Sequence, residues 1–433
     1  MVGEACHALR RNRAQYLAAR TTQHLIEVLS RTAEDWLDPP SPFRKLALEL
    51  GPAATGFSPA TLAGGLDAFF QPLTADNLHL ALTRELGHPQ RLDSLVAAPH
   101  EIHSRVLAMT TGPELLVQVA ADPVPGPILT SMILGLLARS AQFVTFAPGT
   151  SLLPRLFAHS LYRTEPKLAA CLELAELPGG NQDLEDALFA AADCVTAAGG
   201  DEALARIRSR VPARTRFLGY GHRLSFGYLA RESLSQRQAR PLAARAAADV
   251  AAWDQLGCLS PHLFYVEHGG GCPPEGFAEL LAEELELRES AAPRGVVPAR
   301  TAADIESKRS FYQIRAAHSP ETLLWCGRNS TAWTVVYEAD ATFQRSCSHR
   351  FVFVKGVRDL DDAFYHAAPV RGQISTVGLA APLSRAQDLA TALARWGVAR
   401  VCPVGQMQSP PLTGHHHGRP TLGDLVTWTH WEQ

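Results

Sequence analysis

The sequence lacks a strong excess of charge of either sign, and it lacks any long apolar run. Its 433 residues carry a formal net charge of -3, whereas proteins that bind nucleic acid or anionic membranes usually present a strongly basic face. The longest mostly apolar stretch, residues 125–137, is too short to span a bilayer. These absences argue against a nucleic-acid or membrane partner and favour a water-soluble protein that acts on small molecules.

Cysteine is also scarce, with eight residues at irregular spacing, which excludes a disulfide scaffold. We therefore expect reduced thiols and a cytoplasmic location. The N-terminus is polar and charged where a signal peptide would need an apolar core. Internal repeats and low-complexity tracts are absent from the sequence.

Apolar periodicity predicts an α/β protein with a helical N-terminal segment over residues 1–110. Helices are expected at 14–37, 41–50, 58–70 and 77–86. From residue 114 strands and helices alternate, which is typical of a parallel sheet covered on both faces. We place a first α/β domain at 111–240 and a second at 241–412, and we expect a loop and an edge strand over 413–433.

Cys258 is the strongest candidate for chemistry because it lies in a short turn between a predicted helix, 241–255, and a predicted buried strand that Pro261 opens. A thiol at such a turn is accessible, and nearby dipoles can favour its thiolate, so it could accept an acyl group. The alternative is an inert thiol that packs like a small apolar residue.

Three glycine-bearing turns follow predicted strands at what should be one edge of the first sheet: 146–151, 197–201 and 217–226. Glycine allows backbone N–H groups to approach a phosphate, and Arg223 adds a positive charge to the third turn. In that third segment we expect the strand to pass through the glycines into a helix. Turns of this kind also occur without any ligand.

Three adjacent histidines, 415–417, could ligate a metal, but they lack the spacing of a formed site, so we expect a solvated loop and no metal.

These motifs resemble the long-chain acyl-CoA reductase family of bacterial luminescence systems (LuxC type), a branch of the aldehyde dehydrogenase superfamily. The resemblance covers most of the chain and rests on two specific motifs, 254–267 around Cys258 and 221–226. Residues 73–78, 372–378 and 400–407 support it by order and spacing.

The resemblance implies two Rossmann-like domains, first the dinucleotide-binding domain and then the catalytic domain, with an oligomerising C-terminal strand. Cys258 would be the nucleophile, and its backbone N–H would donate to the oxyanion. The thiol carrier would leave, and NADPH or NADH would reduce the acyl group to an aldehyde. The implied partners are acyl-CoA or acyl carrier protein, an acyl-activating or acyl-transferring enzyme, and further copies of the chain. The implied cofactor-binding residues are Pro148, Gly149, Thr150, Gly200, Gly221, His222 and Ser225.

Three departures from the family pattern keep other functions open. Pro123 stands where the family has an Asn oxyanion donor, Ala147 stands where aldehyde dehydrogenases have a Lys, and Gln344 falls near a usual Glu. An acyltransferase or thioesterase that uses Cys258 without a cofactor is one alternative. A non-catalytic scaffold that retains the fold is another.

Overall fold

The computed structural model describes residues 2–103, 105–120, 124–177, 181–328 and 330–432. The chain divides into two compact units. Unit 1 comprises residues 1–55, 66–222 and 411–433, and unit 2 comprises residues 56–65 and 223–410.

The N-terminal region is helical, as predicted. Thr21 and Thr74 begin two of the helices by accepting a backbone N–H three residues ahead, and Gly87 ends the last with a left-handed φ of 75°. The predicted segment 14–37 is broken at residues 17–21. The helices are α1 (Val2–Tyr16), α2 (Thr22–Leu37), α3 (Pro42–Thr55), α4 (Pro59–Phe70) and α5 (Ala75–Leu86).

Unit 1 contains a five-stranded parallel sheet with the order β4-β3-β2-β5-β6. The order reverses at β2, and this is the point where such sheets bind ligands outside their carboxyl ends. The strands are β1 (Val106–Thr111), which lies outside this sheet, β2 (Leu115–Ala120), β3 (Ala141–Phe146), β4 (Leu172–Glu176), β5 (Cys194–Ala198) and β6 (Arg216–Tyr220). The helices are α6 (Gly126–Leu137), α7 (Leu152–Thr164), α8 (Pro166–Ala169), α9 (Gln182–Ala191) and α10 (Asp201–Arg210).

Unit 2 contains a seven-stranded sheet with the order β13-β12-β7-β8-β11-β10-β9, parallel except for β9. Apolar cores cover both of its faces, which explains why its central strands are mostly apolar. The strands are β7 (Leu224–Leu229), β8 (Pro261–Glu267), β9 (Thr322–Cys326), β10 (Thr334–Glu338), β11 (Phe351–Val357), β12 (Ile374–Ala380) and β13 (Arg400–Pro403). The helices are α11 (Gln236–Ala251), α12 (Pro274–Ala291), α13 (Ala299–His318), α14 (Leu360–Ala367) and α15 (Leu383–Trp396).

The helix expected after Gly221 is wrong, because Leu224–Leu229 forms strand β7. This strand pairs with β8 and β12 in the second sheet. Residues 223–240 therefore belong to unit 2, whereas the sequence analysis placed the boundary at residue 240.

The predicted C-terminal strand is present as β14 (Thr427–Glu432), and it pairs antiparallel with β1 to form a two-stranded ribbon. Every residue of β14 is exposed. Within the described ranges, no helix is both long and apolar enough to form a transmembrane span.

Candidate active site

Cys258 is half-buried in a turn that immediately precedes β8, at the amino edge of the unit 2 sheet. Every one of the eight cysteines carries a thiol rather than a disulfide. Five of the others are buried, and burial raises the pKa of Cys171 and Cys194 to about 12. These two thiols are therefore protonated at neutral pH and shielded, so they cannot serve as nucleophiles.

Ser225 stabilises the turn that contains Cys258 through hydrogen bonds of its hydroxyl group. Its hydroxyl donates to the carbonyl of Cys258 at 2.8 Å and accepts the backbone N–H of Thr376 at 3.2 Å. Ser225 lies on β7 and is fully buried. The structure thus places this residue, which the resemblance assigned to the cofactor edge, against the turn that contains Cys258.

The three residues Trp253, Asp254 and Gln255 precede this turn in the left-handed region, with φ values of 51°, 49° and 64°. This conformation is unfavourable for residues other than glycine, and it persists only where surrounding contacts enforce it. The indole ring of Trp253 packs on Gly65, where a Cβ would lie 2.2 Å from the ring.

The carboxylate of Asp254 provides one of those contacts through a buried ion pair. Its Oδ1 lies 2.7 Å from Nη2 of Arg350, and its Oδ2 accepts the backbone N–H of Gly295 at 3.0 Å. Arg350 itself ends a second left-handed run, residues 348–350. Two strained turns are therefore joined by one ion pair.

Gln255 connects the turn to the sheet. Its Nε2 donates to the carbonyl of Pro261 at 2.8 Å and to the carbonyl of Phe351 at 2.9 Å. These contacts fix the amino ends of β8 and β11, and the position of Cys258 follows from them.

His262 is the first ionisable residue after Cys258, and Glu267 is the first carboxylate. The backbone N–H of Ser346 donates to Nδ1 of His262 at 3.2 Å. Burial first, and then the charges of Arg345 and Lys308, lower the pKa of His262 to about 4. The imidazole is therefore neutral at physiological pH, and its proton is on Nε2.

Glu267 lies at the carboxyl end of β8, ~20 Å from the end that follows Cys258, because a strand rises ~3.3 Å per residue. It accepts hydrogen bonds from Tyr228 at 2.5 Å and from Arg231 and Arg385 at 2.9 and 2.8 Å. Burial alone would raise its pKa, but bonds from Arg385, Tyr228 and Arg231 lower it to about 2. Glu267 stabilises the far edge of the sheet and does not act as a base for Cys258.

The loop that follows β13 also stabilises the turn that contains Cys258. Nε2 of Gln408 donates to Ser260 at 2.9 Å, and the backbone N–H of Ser260 donates to Gly257 at 3.0 Å. The buried carboxylate of Asp249 holds this loop by accepting the backbone N–H of Met407 at 2.9 Å. Sequence analysis missed Gln408 and Arg350, because they lie about 90 residues or more from their partners and no local pattern marks them.

In unit 1 the predicted cofactor residues lie at the carboxyl edge of the sheet. Pro148, Gly149 and Thr150 form the turn after β3, where Thr150 Oγ1 donates to the carbonyl of Ala147 at 2.8 Å. Gly149 has a φ of 83°, and a Cβ there would meet no atom within 4 Å.

Gly200, Gly221 and His222 come together on the other side of β2, after β5 and β6. A Cβ on Gly200 would lie 3.5 Å from the His222 ring, and one on Gly221 would lie 2.8 Å from an oxygen of Asp201. Gly200 begins α10 without a side-chain cap. The amide groups in the first turn of α10 and the strand order fit a dinucleotide at this edge.

Pro123 and Gln344 are two of the positions at which the sequence departs from the family pattern. Pro123 lies outside the described residues. Gln344 accepts a hydrogen bond from Tyr312 at 3.2 Å and lines a cavity of about 520 Å³ together with Lys308 and Arg345.

Residues 17–428 match the family model described as acyl-CoA reductase (LuxC). A search of curated proteins finds no match. The chain is similar in structure to an NAD-dependent benzaldehyde dehydrogenase from Corynebacterium glutamicum, with a TM-score of 0.72, 14% identity, and coverage of 100% of this chain and 90% of that one. It is also similar to an aldehyde dehydrogenase from Brucella melitensis biovar abortus 2308, with a TM-score of 0.71, 13% identity, and coverage of 99% and 88%.

A third similar structure is a variant of proline utilization A (PutA) from Bradyrhizobium japonicum, with a TM-score of 0.72 and 15% identity. This chain aligns over 99% of its own length but spans only 44% of that protein. At these identities the solved structures show the fold alone, which is the aldehyde dehydrogenase fold.

Proposed function

Because the chain belongs to the acyl-CoA reductase (LuxC) family and is an oxidoreductase, we propose that it reduces an acyl thioester to an aldehyde through an acyl intermediate on Cys258. The observation that carries the proposal is the placement of Cys258. The residue is half-buried on a turn that hydrogen bonds from Ser225 and Gln255 and the Asp254–Arg350 ion pair hold in place. A nucleophile fixed in this way loses little entropy when it attacks.

In the proposed reaction the Cys258 thiolate attacks the thioester carbonyl carbon and forms a new carbon–sulfur bond. The bond to the thiol carrier breaks, and the carrier leaves as a thiol after taking up a proton. A bound NADPH or NADH would supply the hydride that converts the acyl group to an aldehyde and returns Cys258 to its thiolate.

The residues that would hold the cofactor are those at the carboxyl edge of the unit 1 sheet: Pro148, Gly149, Thr150, Gly200, Gly221 and His222. Ser225 would act indirectly, by fixing the carbonyl of Cys258. As carriers we propose coenzyme A or an acyl carrier protein, supplied by an acyl-activating or acyl-transferring enzyme. Thiols rather than disulfides support a cytoplasmic location.

The test follows the absorbance of reduced nicotinamide and traps the aldehyde while the purified protein is incubated with an acyl-CoA series and NADH or NADPH. We expect turnover in the wild type and none in Cys258→Ala. The matched control is Cys326→Ala, which removes another half-buried thiol of unit 2 and should retain activity. An acyl adduct on Cys258 that releases only free acid or a transferred acyl group would show an acyltransferase or thioesterase instead. If no acyl-CoA in the series modifies Cys258, the result would support a non-catalytic scaffold that retains the fold.

A further inference from the structure

Glu176 places a carboxylate at the cofactor edge of unit 1. It is the last residue of β4 and lies in register with Phe146, the last residue of β3. The hydroxyl of Ser151, in the turn that follows β3, donates to Oε1 of Glu176 at 2.6 Å. The carboxylate is therefore tied to the turn that contains Pro148, Gly149 and Thr150.

This carboxylate is ionised and still has room for another donor. The Ser151 hydroxyl and then the backbone N–H of Gly149 lower the pKa of Glu176 against an opposing effect of desolvation, and the backbone N–H of Ser151 lowers it further. These are three donors, whereas a carboxylate offers about four lone-pair positions. The side chain is exposed, so a ligand can reach the remaining position.

The location is significant because of the strand order. In sheets of this order the adenosine ribose of a dinucleotide lies near the end of the second strand, where an acidic residue accepts from the ribose hydroxyls. Here the second strand is β3, and the turn after it, residues 147–151, contains no acidic residue. The adjacent strand β4 brings Glu176 to the same place.

We propose that Glu176 makes this protein select NADH over NADPH, because its carboxylate accepts from a ribose hydroxyl and repels a phosphate at the 2′ position. This inference rests on the proposed function, since it concerns the cofactor of that reaction.

Arg155, which lies near Glu176, leads to a second expectation about the binding of NADPH. Its guanidinium donates to the carbonyl of Leu174 at 3.5 Å, and its positive charge contributes to the lowered pKa of Glu176. When the charge of Glu176 is removed, this arginine is available to a 2′-phosphate. Glu176→Gln should therefore improve the binding of NADPH as well as weaken that of NADH.

Titration calorimetry of the full chain with NADH and with NADPH tests this without any turnover. We expect the wild type to bind NADH at least about tenfold more tightly than NADPH, as a single charge pair near the surface allows. In Glu176→Gln the ratio of the two dissociation constants should fall by about tenfold or more. The matched control is Glu173→Gln, which removes another exposed carboxylate of β4 and should leave the ratio unchanged.

Equal or tighter binding of NADPH by the wild type would overturn the proposal, as would an unchanged ratio in Glu176→Gln. In either case the reductase proposal would stand, because both nucleotides would still bind. Failure of the wild type to bind either nucleotide would overturn both proposals.

Discussion

At the scale of the residue, Ser225 is a buried polar side chain whose hydrogen bonds position the turn that contains Cys258. We expect Ser225→Ala to lower the free energy of unfolding by about 1–3 kcal/mol, because it removes the buried hydroxyl that bonds to the carbonyl of Cys258 and to the N–H of Thr376. Acylation of Cys258 should slow by about tenfold as the turn loosens. Urea denaturation and a stopped-flow acylation assay check the two effects.

The control for this variant is Ser290→Ala, which removes an exposed hydroxyl of α12 that bonds only within its own helix. It should change neither quantity. An acylation rate in Ser225→Ala equal to that of the wild type would show that the hydroxyl does not position the nucleophile.

His262 gives a prediction about pH. Its pKa is about 4 in the folded protein against an ordinary 6.5, so between these values the unfolded chain binds the proton and the folded chain does not. The stability from the neutral imidazole is present above pH 6.5 and is lost as the pH falls towards 4. The loss amounts to about 3 kcal/mol, at 1.36 kcal/mol per pKa unit.

We therefore expect His262→Gln to be less sensitive to acid than the wild type between pH 6.5 and 4 when urea denaturation is repeated across this range. His318→Gln, at the exposed end of α13, serves as the control and should follow the wild type. Parallel pH curves for the wild type and His262→Gln would contradict the account.

At the scale of the element, the two left-handed turns and the ion pair that joins them give a further prediction. The side chains of Asp254 and Arg350 are only 4% and 1% exposed. Asp254→Asn should destabilise unit 2 by about 2 kcal/mol, because the buried guanidinium of Arg350 then loses one of its two carboxylate partners and keeps only Glu289. Glu283→Gln breaks a solvent-exposed pair with Arg240 and should cost much less, because water and salt screen that pair. Equal costs in denaturation experiments would show that the buried pair does not hold the turns.

Sequence reasoning succeeded for elements with a local signal and failed where the signal is not local. The helices of the N-terminal region, the helix before Cys258 and the strand after it follow from periodicity and from Pro261. Strand β7 was read as a helix start because it is buried on both faces, and a short apolar run fits either structure. The partners of the Cys258 turn, Ser225, Arg350 and Gln408, come from three other parts of the chain. Only the folded sheet brings them together.

At the scale of the whole molecule, the exposed β1–β14 ribbon is the surface through which we propose that the chain forms a homo-oligomer. In the part of the chain that the structure describes, β14 pairs only with β1, so its other edge is available to a further strand. Trp431 on this ribbon is 52% exposed. Light scattering should therefore show a smaller assembly for Trp431→Lys than for the wild type.

Tyr365→Lys replaces another exposed aromatic residue, on α14 of unit 2, and serves as the control. It should leave the molar mass unchanged. A wild type that is monomeric, or a Trp431→Lys variant with the wild-type mass, would remove the ribbon as an interface.

The α/β class and the parallel sheets follow from the alternation of strands and helices in the sequence, and the structure confirms them. The assignment to the acyl-CoA reductase family follows from the motifs around Cys258 and residues 221–226, and the family match over residues 17–428 confirms it. The carboxylate of Glu176 could not be placed from the sequence, because only the pairing of β3 with β4 brings it to Ser151.

The central claim is that one thiol carries the acyl group and that a hydride then releases it as an aldehyde. The most direct measurement loads the protein with acyl-CoA, identifies the modified peptide by mass spectrometry, and then adds nicotinamide cofactor deuterated at the transferable position. We predict an acyl group on Cys258 alone, and deuterium on the aldehyde carbon once the adduct disappears. Acylation at another residue, or loss of the adduct as unlabelled acid, would contradict the account.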